Sequence, residues 1–383
     1  MSPMKLDRRP PAALRPHIVR ALHGVVAVLA LEASGPTAEI PVATLAELRT
    51  ALGQATPGDL VRVADAAEIT LDDAPLLVPE KVTLAGAGAT ITAAPAGERA
   101  AISLRPGARL TGLRLKGPNP PYRDLDARPF EPSGYAVACT DAEVDHCEIL
   151  CFQRGGVVLF RDSVTSHIHH NHLHDIAAYP VLIARGSGDG HVIEHNRIEW
   201  AWHAIASNGS RGSGYTARFN QFVRVPRPKL FESSGPSPPN WCLDVHANDG
   251  AETTPPRPAT RTLVVYDNDF LAAPGVTVGD GRDLLTANGM YPKHDIYVGP
   301  CPGVTTTVAI RDNRFLMHEK TGSTDRLKPF GRAIRIVGLR GHPGLEDDPS
   351  PAQGELRVRI EGNTYGTTTE RPEADRPSPR TAQ

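Results

Sequence analysis

One short motif recurs along this chain at nearly fixed intervals: an asparagine, then a polar residue, then a large apolar one, as in Asn171-His172-Leu173. Its copies are centred on Asn171, Asn196, Asn220, Asn268, Asn313 and Asn363. Successive copies are 25, 24, 48, 45 and 50 residues apart, which is one or two turns of a unit of about 24 residues. A fixed period in this range, built from short β-type segments, predicts a β-solenoid whose coils stack on one another.

The recurring asparagines are predicted to be structural. Asparagine tolerates the left-handed backbone of a tight turn, and asparagines stacked in successive coils can hydrogen-bond along the stack. One coil before Asn171 the sequence reads Asp145-His146-Cys147, and a spacing of 25 residues assigns the asparagine place to His146. These positions are therefore expected to hold the coils together.

The predicted fold class is all-β, a single-stranded parallel β-helix with a short N-terminal capping helix. Thr44 to Glu47 form a capping box, and Leu45, Leu48 and Leu52 give one apolar face to a helix that Gly53 can end. This helix is expected to cover the open end of the stack, whose edge would otherwise pair with other chains. We assign residues 1–40 to a leader or disordered arm, 41–366 to the β-helix and 367–383 to a disordered tail.

Composition argues against a nucleic-acid or membrane role. The chain has 383 residues, 40% of them apolar, and a net charge of −2, so it lacks the basic excess of nucleic-acid-binding domains. No segment reaches the roughly 18 consecutive apolar residues of a membrane span. Arginines precede the short apolar run Val25–Leu31, as in a secretory signal. A secreted or extracellular location is therefore expected, with a cytoplasmic one as the alternative.

Long insertions interrupt the coils at two places in the repeat. Four of them share one corner: Pro118–Ser133, Pro226–Asn240, Gly275–Lys293 and Glu319–Gly331. Two others, Asn248–Pro258 and His342–Gln353, follow a different strand. Insertions in a repeat protein map to loops on one face, which is often the binding face. The functional site is therefore expected beside these insertions.

The segments Leu45–Val63 and Val82–Ile91, together with the asparagine-centred coils, resemble right-handed parallel β-helix proteins of the pectate-lyase-like superfamily. The similarity covers roughly residues 41–366. It implies a right-handed coil and, as partner, a carbohydrate polymer or oligosaccharide. This superfamily includes lyases, glycoside hydrolases, epimerases and non-catalytic adhesins, so the resemblance does not select an activity.

A groove on the outer face is predicted from the strands that follow the turns. Its strands are taken as Val157–Arg161, Val181–Arg185, Ala204–Asn208, Cys242–His246 and Ala333–Val337, with Val158, Leu182, Ile205, Leu243 and Ile334 pointing inward. Because side chains alternate and stacked strands lie about 4.8 Å apart, the outward positions form a polar column that suits a linear polymer. The predicted substrate-binding residues are Arg161, Arg185, Asn208, Arg335, Trp202 and Trp241. The arginines suit a carboxylate or sulfate, and the alternative is surface pairing with Asp162 and Asp189.

Candidate catalytic residues lie on the same strands. Asp244 and His246 are two residues apart on one strand and face the same way, and a carboxylate beside an imidazole orients it. The full set is His246, Asp244, His203, Lys293 and Tyr291, the last two beside a predicted strand Asp295–Val298. Asp244-Val245-His246 resembles the Asp-Pro-His element of alginate C5-epimerases, but the proline is absent and the following acidic residue, Asp249, is displaced.

Five histidines between residues 167 and 174 raise a metal-binding hypothesis. Alternation puts His167 and His169 on one face, while His170 and His172 flank the turn at Asn171, so the set is not expected to converge on one ion. Zinc is therefore not favoured, and no metal-binding residue is assigned. Calcium stays an option, because β-helix lyases often bind it through carboxylates, although no carboxylate cluster lies on the groove strands.

Three functional hypotheses compete. The first is an enzyme that abstracts the C5 proton of a uronic acid, as a lyase or C5-epimerase, with Arg185 or Arg161 neutralising the carboxylate, His246 or Lys293 as base, and Tyr291 or His203 as acid. The second is a glycoside hydrolase, which needs two carboxylates roughly 5–10 Å apart. The third is a non-catalytic carbohydrate-binding or surface solenoid, for which an aromatic content of 5% is low. The sequence predicts no oligomeric state.

Overall fold

The computed structural model describes residues 37–121, 131–160, 162–184, 187–207, 213–224, 242–245, 261–272, 295–299, 305–318, 333–339, 345–346 and 355–368. All of these residues belong to one unit that begins at Thr37. The predicted leader and tail lie almost entirely outside these ranges, so their boundaries stay predictions.

The strands form three parallel sheets, numbered here in the order in which the chain visits them. The first sheet contains, in order, β1 (Glu39–Val42), β2 (Leu60–Val63), β5 (Thr83–Gly86), β8 (Arg109–Thr111), β11 (Glu143–Asp145), β14 (His167–His169), β17 (His191–Glu194), β20 (Gly214–Arg218), β23 (Thr262–Tyr266), β26 (Thr305–Arg311) and β30 (Glu355–Glu361). The second contains β3 (Glu68–Thr70), β6 (Thr90–Thr92), β9 (Arg114–Lys116), β12 (Glu148–Leu150), β15 (His172–Ile176), β18 (Arg197–Ala201), β21 (Gln221–Arg224), β24 (Asp269–Ala272), β27 (Arg314–His318) and β31 (Thr364–Thr368). The third contains β4 (Leu76–Val78), β7 (Ala100–Leu104), β10 (Tyr135–Cys139), β13 (Gly155–Leu159), β16 (Tyr179–Ile183), β19 (Ile205–Ser207), β22 (Leu243–Val245), β25 (Ile296–Val298), β28 (Ile334–Ile336) and β29 (Leu345–Glu346).

The predicted parallel β-helix is confirmed, but its description as single-stranded is replaced by three strands per coil. A coil of about 24 residues returns to its starting corner by way of three short strands, and each strand pairs in parallel with its counterparts in the neighbouring coils. For example, β14 pairs with β11 and β17. Residues one coil apart are therefore neighbours in space.

An α-helix, α1 (Leu45–Gln54), precedes the first full coil, as predicted, although it continues past Gly53 and is capped by Ala55. The Thr44 hydroxyl accepts a hydrogen bond from the Glu47 amide, and the Glu47 carboxylate accepts one from the Thr44 amide, so the capping box is present. Leu48, Ala51 and Leu52 are buried in the core. The role of the helix as an end cap stays a prediction. Among the described residues no helix is long and apolar enough to cross a membrane.

The third residue of the recurring motif packs the interior. Phe222, Phe270, Phe315 and Tyr365 are in register on the second sheet, each two residues after a motif asparagine. Their rings stack with centroid distances of 4.9, 4.6 and 5.3 Å. Offset stacking of this kind stabilises aromatic pairs beyond the area they bury. The repeat therefore places one aromatic ring above another inside consecutive coils.

The motif asparagines form the predicted ladder. The side-chain oxygen of Asn196 accepts hydrogen bonds from the backbone and side-chain amides of Asn171, both at 3.0 Å. The same pair of bonds recurs at each step through Asn220, Asn268, Asn313 and Asn363. Each side-chain amide also donates to a backbone carbonyl, such as that of Val144 from Asn171. The structural role assigned to these asparagines is confirmed.

Two details of the turn prediction are wrong. The left-handed residue is the one before the asparagine, with φ of 55° at His170, 54° at His195 and 56° at Phe219. The place equivalent to Asn171 in the preceding coil belongs to Cys147, not His146, because the Cys147 amide donates to the Asn171 side chain and β12 pairs with β15 in that register. The motif asparagine therefore contributes the hydrogen-bond donor and acceptor of its side chain, while the residue before it adopts the left-handed backbone.

Apart from the segment between β1 and β2 that contains α1, the long connections all enter or leave the third sheet. Four run from the second sheet to the third, between β9 and β10, β21 and β22, β24 and β25, and β27 and β28. The connection from β22 to β23 and the stretch between β28 and β30 lead from the third sheet to the first. Connections between the first and second sheets have only two to four residues. The predicted grouping of the insertions is confirmed, and both groups flank the third sheet.

Candidate active site on the third sheet

The register of the third sheet defines one outward column. One position of the strand recurs in register in successive coils and belongs to the main core: Val157, Val181, Ile205, Leu243, Ile296 and Ile334. Their successors in the chain form the adjacent column, in the order Val158, Leu182, Ala206, Asp244, Tyr297 and Arg335. Because side chains alternate along a strand, this second column faces outward.

The predicted orientation of Val158 and Leu182 is wrong. They lie in the outward column with Asp244, whereas Leu159 and Ile183 point into the core. The predicted alignment was one residue out of register in these two coils, and a slip of one residue exchanges the two faces of a strand. The predicted neighbourhood of Asp244 and Arg335 is correct, because both belong to the one outward column.

The outward column changes from apolar to polar along the stack. Ala138, Val158, Leu182 and Ala206 belong to a small apolar cluster separate from the core. Asp244 follows in the next coil and is fully buried, while Tyr297 and Arg335 beyond it are partly exposed. The register continues to Glu346, beside Arg335. Beyond Ala206, the described positions of the column that solvent reaches are Tyr297 and Arg335.

His203 and Asp244 form a buried pair. Nε2 of His203 lies 3.4 Å from Oδ2 of Asp244, and the two residues are 2% and 0% exposed. His203 comes two residues before Ile205, which is the register neighbour of Leu243, so the pair bridges adjacent coils. A buried carboxylate is costly unless a partner compensates its charge. Two of the predicted catalytic residues thus lie together.

Aromatic rings hold the His203 imidazole in place. The ring of Tyr179 lies parallel to it at 5.7 Å between centroids, and the Trp202 ring lies at 4.6 Å. Trp202 also stacks on Tyr179 at 5.6 Å. Trp202, predicted to bind substrate, is partly exposed and packs against the site histidine. Its position fits a wall of the site that also fixes the imidazole.

Tyr297 was missed by the sequence interpretation. It lies between Asp244 and Arg335 in the outward column, and the Arg335 guanidinium carbon is 5.9 Å from the centre of its ring. Alternation on the strand Asp295–Val298, with Ile296 inward, is the signal that would have identified it. Asp295, the first residue of that predicted strand, is buried, with Oδ1 3.8 Å from the Cys242 thiol of the core.

The remaining predicted site residues lie outside the described part of the chain. These are the catalytic candidates His246, Lys293 and Tyr291 and the substrate-binding candidates Arg161, Arg185, Asn208 and Trp241. Their roles stay predictions.

Two polar side chains lie inside the coils close to the site. His191 and Tyr215 are register neighbours on the first sheet, 1% and 0% exposed. Within the described ranges neither has a hydrogen-bond partner for its side chain. Burial lowers the pKa of His191 to about 4, so the imidazole is neutral at physiological pH. Burial also raises the pKa of Tyr215, and the negative charge of Asp244 adds to this effect.

The histidine-rich segment lies on the other two sheets. Glu143, His167 and His169 converge on the first sheet, and Glu148, His172 and His174 on the second, with potential ligand atoms within 4.8 Å of one another in each group. Sequence alternation placed His167 and His169 on one face, as the structure does, but it paired His172 with His170 at the turn and not with His174. It did not reveal the glutamates, which come from the preceding coil. Both groups are distinct from the site on the third sheet.

Comparison with known proteins gives only structural similarities. No protein-family model matches the chain, and no curated protein matches it by sequence. An alginate lyase from Paenibacillus sp. str. FPU-7 is 14% identical with a TM-score of 0.47, over 86% of this chain and 99% of that one. The catalytic unit of a GH87 α-1,3-glucanase from Streptomyces thermodiastaticus strain HF3-3 is 15% identical with a TM-score of 0.43, over 85% and 67%. The A-module of mannuronan C-5 epimerase AlgE4 from Azotobacter vinelandii is 13% identical with a TM-score of 0.33, over 85% and 94%.

These scores are too low to carry an argument about activity. The fold rests on the strand pairing of this chain itself, which forms three parallel sheets over the whole described β-helix. The resemblance to parallel β-helix proteins drawn from the sequence is confirmed at the level of fold.

Proposed function

We propose that this protein is a polysaccharide-active enzyme that abstracts the C5 proton of a uronic acid residue, as a lyase or a C5-epimerase. The observation that carries the proposal is the alignment of Asp244, Tyr297 and Arg335 in three consecutive coils of one outward column. His203 lies against Asp244. This column lies on the sheet that the long insertions of the coils enter or leave. A regular ladder with about 4.8 Å between coils suits an extended polymer.

Each side chain has a chemical role in the proposal. Removing a proton next to a carboxylate requires a cation that stabilises the developing negative charge, and the guanidinium of Arg335 has the geometry to bind a carboxylate through two hydrogen bonds. Tyr297, one coil away and partly exposed, is placed to transfer a proton. Asp244 and His203 are buried behind it and act as positioning residues that fix the polar end of the column. His246, Lys293 and Tyr291 stay candidates for the second proton-transfer group.

A glycoside hydrolase is the less favoured activity. Such enzymes need two carboxyl groups roughly 5–10 Å apart across the bond. Among the positions of the outward column whose side chains the structure describes, Asp244 carries the one carboxylate. The next two positions carry the phenol of Tyr297 and the guanidinium of Arg335, which suit proton abstraction better than acid-assisted hydrolysis.

The test is turnover of a panel of uronate polymers, neutral glycans and sulfated glycans by the full chain. A lyase produces an ultraviolet absorbance from the new double bond, whereas an epimerase incorporates deuterium at C5 when the reaction runs in D₂O. A hydrolase produces reducing ends without either signal. We expect one of the first two signals on a uronate polymer and none on neutral glycans.

Tyr297→Phe removes one hydroxyl from the column and is expected to lower the rate by about 10²- to 10⁴-fold, the usual contribution of general acid–base catalysis. The matched control is Tyr266→Phe, on the first sheet, where the hydroxyl contacts Arg218 at 2.7 Å. Equal rates for Tyr297→Phe and the parent chain would contradict the role of Tyr297. Binding of a glycan without turnover by the parent chain would favour a non-catalytic solenoid.

A further inference from the structure

Two clusters, each made of one glutamate and two histidines, lie on either side of the asparagine ladder. Each residue of the second cluster comes five residues after its counterpart in the first. Glu143 lies beside His167 on the first sheet, with His169 two residues further along. Glu148 lies beside His172 on the second sheet, with His174 two residues further along. The next coil adds Glu194 beside His169 and Glu199 beside His174.

The imidazoles in each cluster direct Nε2 at carboxylates. In the first cluster, Nε2 of His169 is 2.9 Å from Glu143, and Nε2 of His167 is 2.7 Å from Glu194. In the second, Nε2 of His174 is 3.1 Å from Glu148, and Nε2 of His172 is 2.8 Å from Glu199. The two imidazole rings of each cluster face each other, with centroids 4.0 and 4.2 Å apart.

The second nitrogen of His174 is also held. Its Nδ1 lies 2.6 Å from Oδ2 of Asp175, a carboxylate that is 2% exposed. A carboxylate on one ring nitrogen is the usual arrangement behind a metal-binding histidine, because it fixes the ring and leaves the other nitrogen to the ion. In the first cluster Nδ1 of His169 contacts Nδ1 of His170 at 2.8 Å, so that ring is held as well.

We propose that each cluster binds one divalent cation of the zinc class. The ligands are Glu143, His167 and His169 in one site and Glu148, His172 and His174 in the other, with Glu194 and Glu199 placed to complete them. Two imidazole nitrogens with a carboxylate oxygen suit Zn²⁺, Co²⁺ or Ni²⁺, whereas Ca²⁺ takes an all-oxygen set. This inference is independent of the proposed activity.

Arginines at the edges of the clusters provide the competing explanation. Arg109 lies 3.5 Å from Glu143 and Arg114 lies 2.7 Å from Glu148, while Arg218 and Arg197 contact Glu194 and Glu199. These ion pairs hold the carboxylates in place without an ion, so a charge-compensated network of hydrogen bonds is the alternative to a metal site. Only a binding measurement separates the two.

The test uses the full chain, purified without a polyhistidine tag and stripped with a chelator. Calorimetric titration with Zn²⁺ gives the number of ions bound, and titration with Co²⁺ gives an absorption spectrum that reports nitrogen ligation. We expect two ions per chain and a rise in the unfolding temperature, because each ion would join three successive coils. The double variants His167→Gln/His169→Gln and His172→Gln/His174→Gln should each bind one ion, and the quadruple variant none.

His146→Asn is the matched control, since His146 is a half-exposed histidine at a left-handed turn position that asparagine tolerates. It should bind two ions. The chain has 15 histidines, so binding that is unchanged in the cluster variants would place the ions elsewhere and overturn the proposal. Absence of saturable binding by the parent chain would overturn it too. If a histidine variant unfolds in chelator, Glu143→Gln and Glu148→Gln replace it in the binding measurement. Weaker metal binding by these glutamine variants supports the two sites.

Discussion

Nε2 of His203 lies 3.4 Å from Oδ2 of Asp244, and both side chains are almost completely buried on what is topologically the outer face of the third sheet. An ionisable pair removed from water in this way contributes little net stability, but it becomes expensive when one partner is deleted. The pair therefore fixes the geometry of the polar end of the column more than it adds to the stability of the fold.

The effects of deleting Asp244 and His203 on stability should not be additive, because each side chain compensates the other. Asp244→Ala and His203→Ala are each expected to lower the free energy of unfolding by about 3 kcal/mol, because each leaves a buried polar group without its partner. The double variant should lose clearly less than the sum of the two single losses. Denaturant unfolding of the three variants and the parent chain measures this coupling. Additive losses would show that the two side chains do not interact.

Arg335 should distinguish charged from neutral substrates. A hydrogen bond to a charged group contributes about 1.5–3 kcal/mol, so Arg335→Met is expected to lower kcat/KM on a uronate polymer by about ten- to a hundred-fold. A methyl-esterified polymer, which lacks the carboxylate charge, should show a much smaller change. Steady-state kinetics on both polymers checks this.

Arg314→Met is the control for Arg335, since Arg314 is an exposed arginine on the second sheet that pairs with Asp269 at 2.5 Å. It should leave both substrates unaffected. A loss of equal size on charged and esterified polymers would mean that Arg335 supports the fold of the site and does not recognise the carboxylate.

His191 should make the stability of the fold depend on pH. Burial lowers its pKa to about 4 in the folded chain, against the carboxylates of Asp141 and Asp189, which act in the opposite direction. Histidine in an unfolded chain has a pKa near 6.5. Between these values the unfolded chain binds a proton that the folded chain does not, so stability falls as the pH drops from about 6.5 to about 4. The loss amounts to about 3 kcal/mol at most.

His191→Leu removes this titration and should flatten the pH dependence of unfolding over that range. Leucine also replaces a buried polar group that has no hydrogen-bond partner among the described residues, so stability at pH 7 should be unchanged or higher. Denaturant unfolding at several pH values measures both effects. The same slope in the variant and the parent chain would assign the pH dependence to other groups.

The asparagine ladder should be more sensitive in its middle than at its end. Asn268→Ala removes the acceptor of the Asn220 backbone and side-chain amides, both buried, and is expected to cost about 3 kcal/mol of unfolding free energy. Asn363 is the partly exposed end of the ladder, so water can replace its bonds to Asn313. Asn363→Ala should cost less than half as much. Equal costs would indicate that the rungs are not stabilised by burial.

The repeat predicted the fold because every coil must return the same residue type to the same corner. Asn171 and Asn196 are interchangeable in the ladder, and Phe270 and Phe315 in the stack, so their spacing is visible in the sequence. No recurring residue type in the sequence indicates the register of the third sheet. Its strands hold varied apolar residues, and connections of different lengths separate them, so the alignment of Val158 and Leu182 slipped by one residue. Only the backbone pairing fixes it.

The candidate site was predictable where a side chain stands out from an apolar strand. Asp244 and Arg335 are charged residues among apolar neighbours, and both lie in the outward column. Tyr297 was missed because an aromatic residue in a strand is equally common in a core. The glutamates of the two histidine clusters were missed for a different reason. Glu143 becomes a neighbour of His167 only through the register between coils, which periodicity gives to within a residue and not better.

The asparagine ladder stabilises the corner between the first and second sheets, where the connections have two to four residues. The corners before and after the strands of the third sheet accept long connections. Chain length can thus vary on one side of the molecule while the other side preserves the stacking. A scaffold of this kind can acquire a new specificity by exchanging segments such as residues 225–241 with those of another solenoid, leaving the coils that carry them intact.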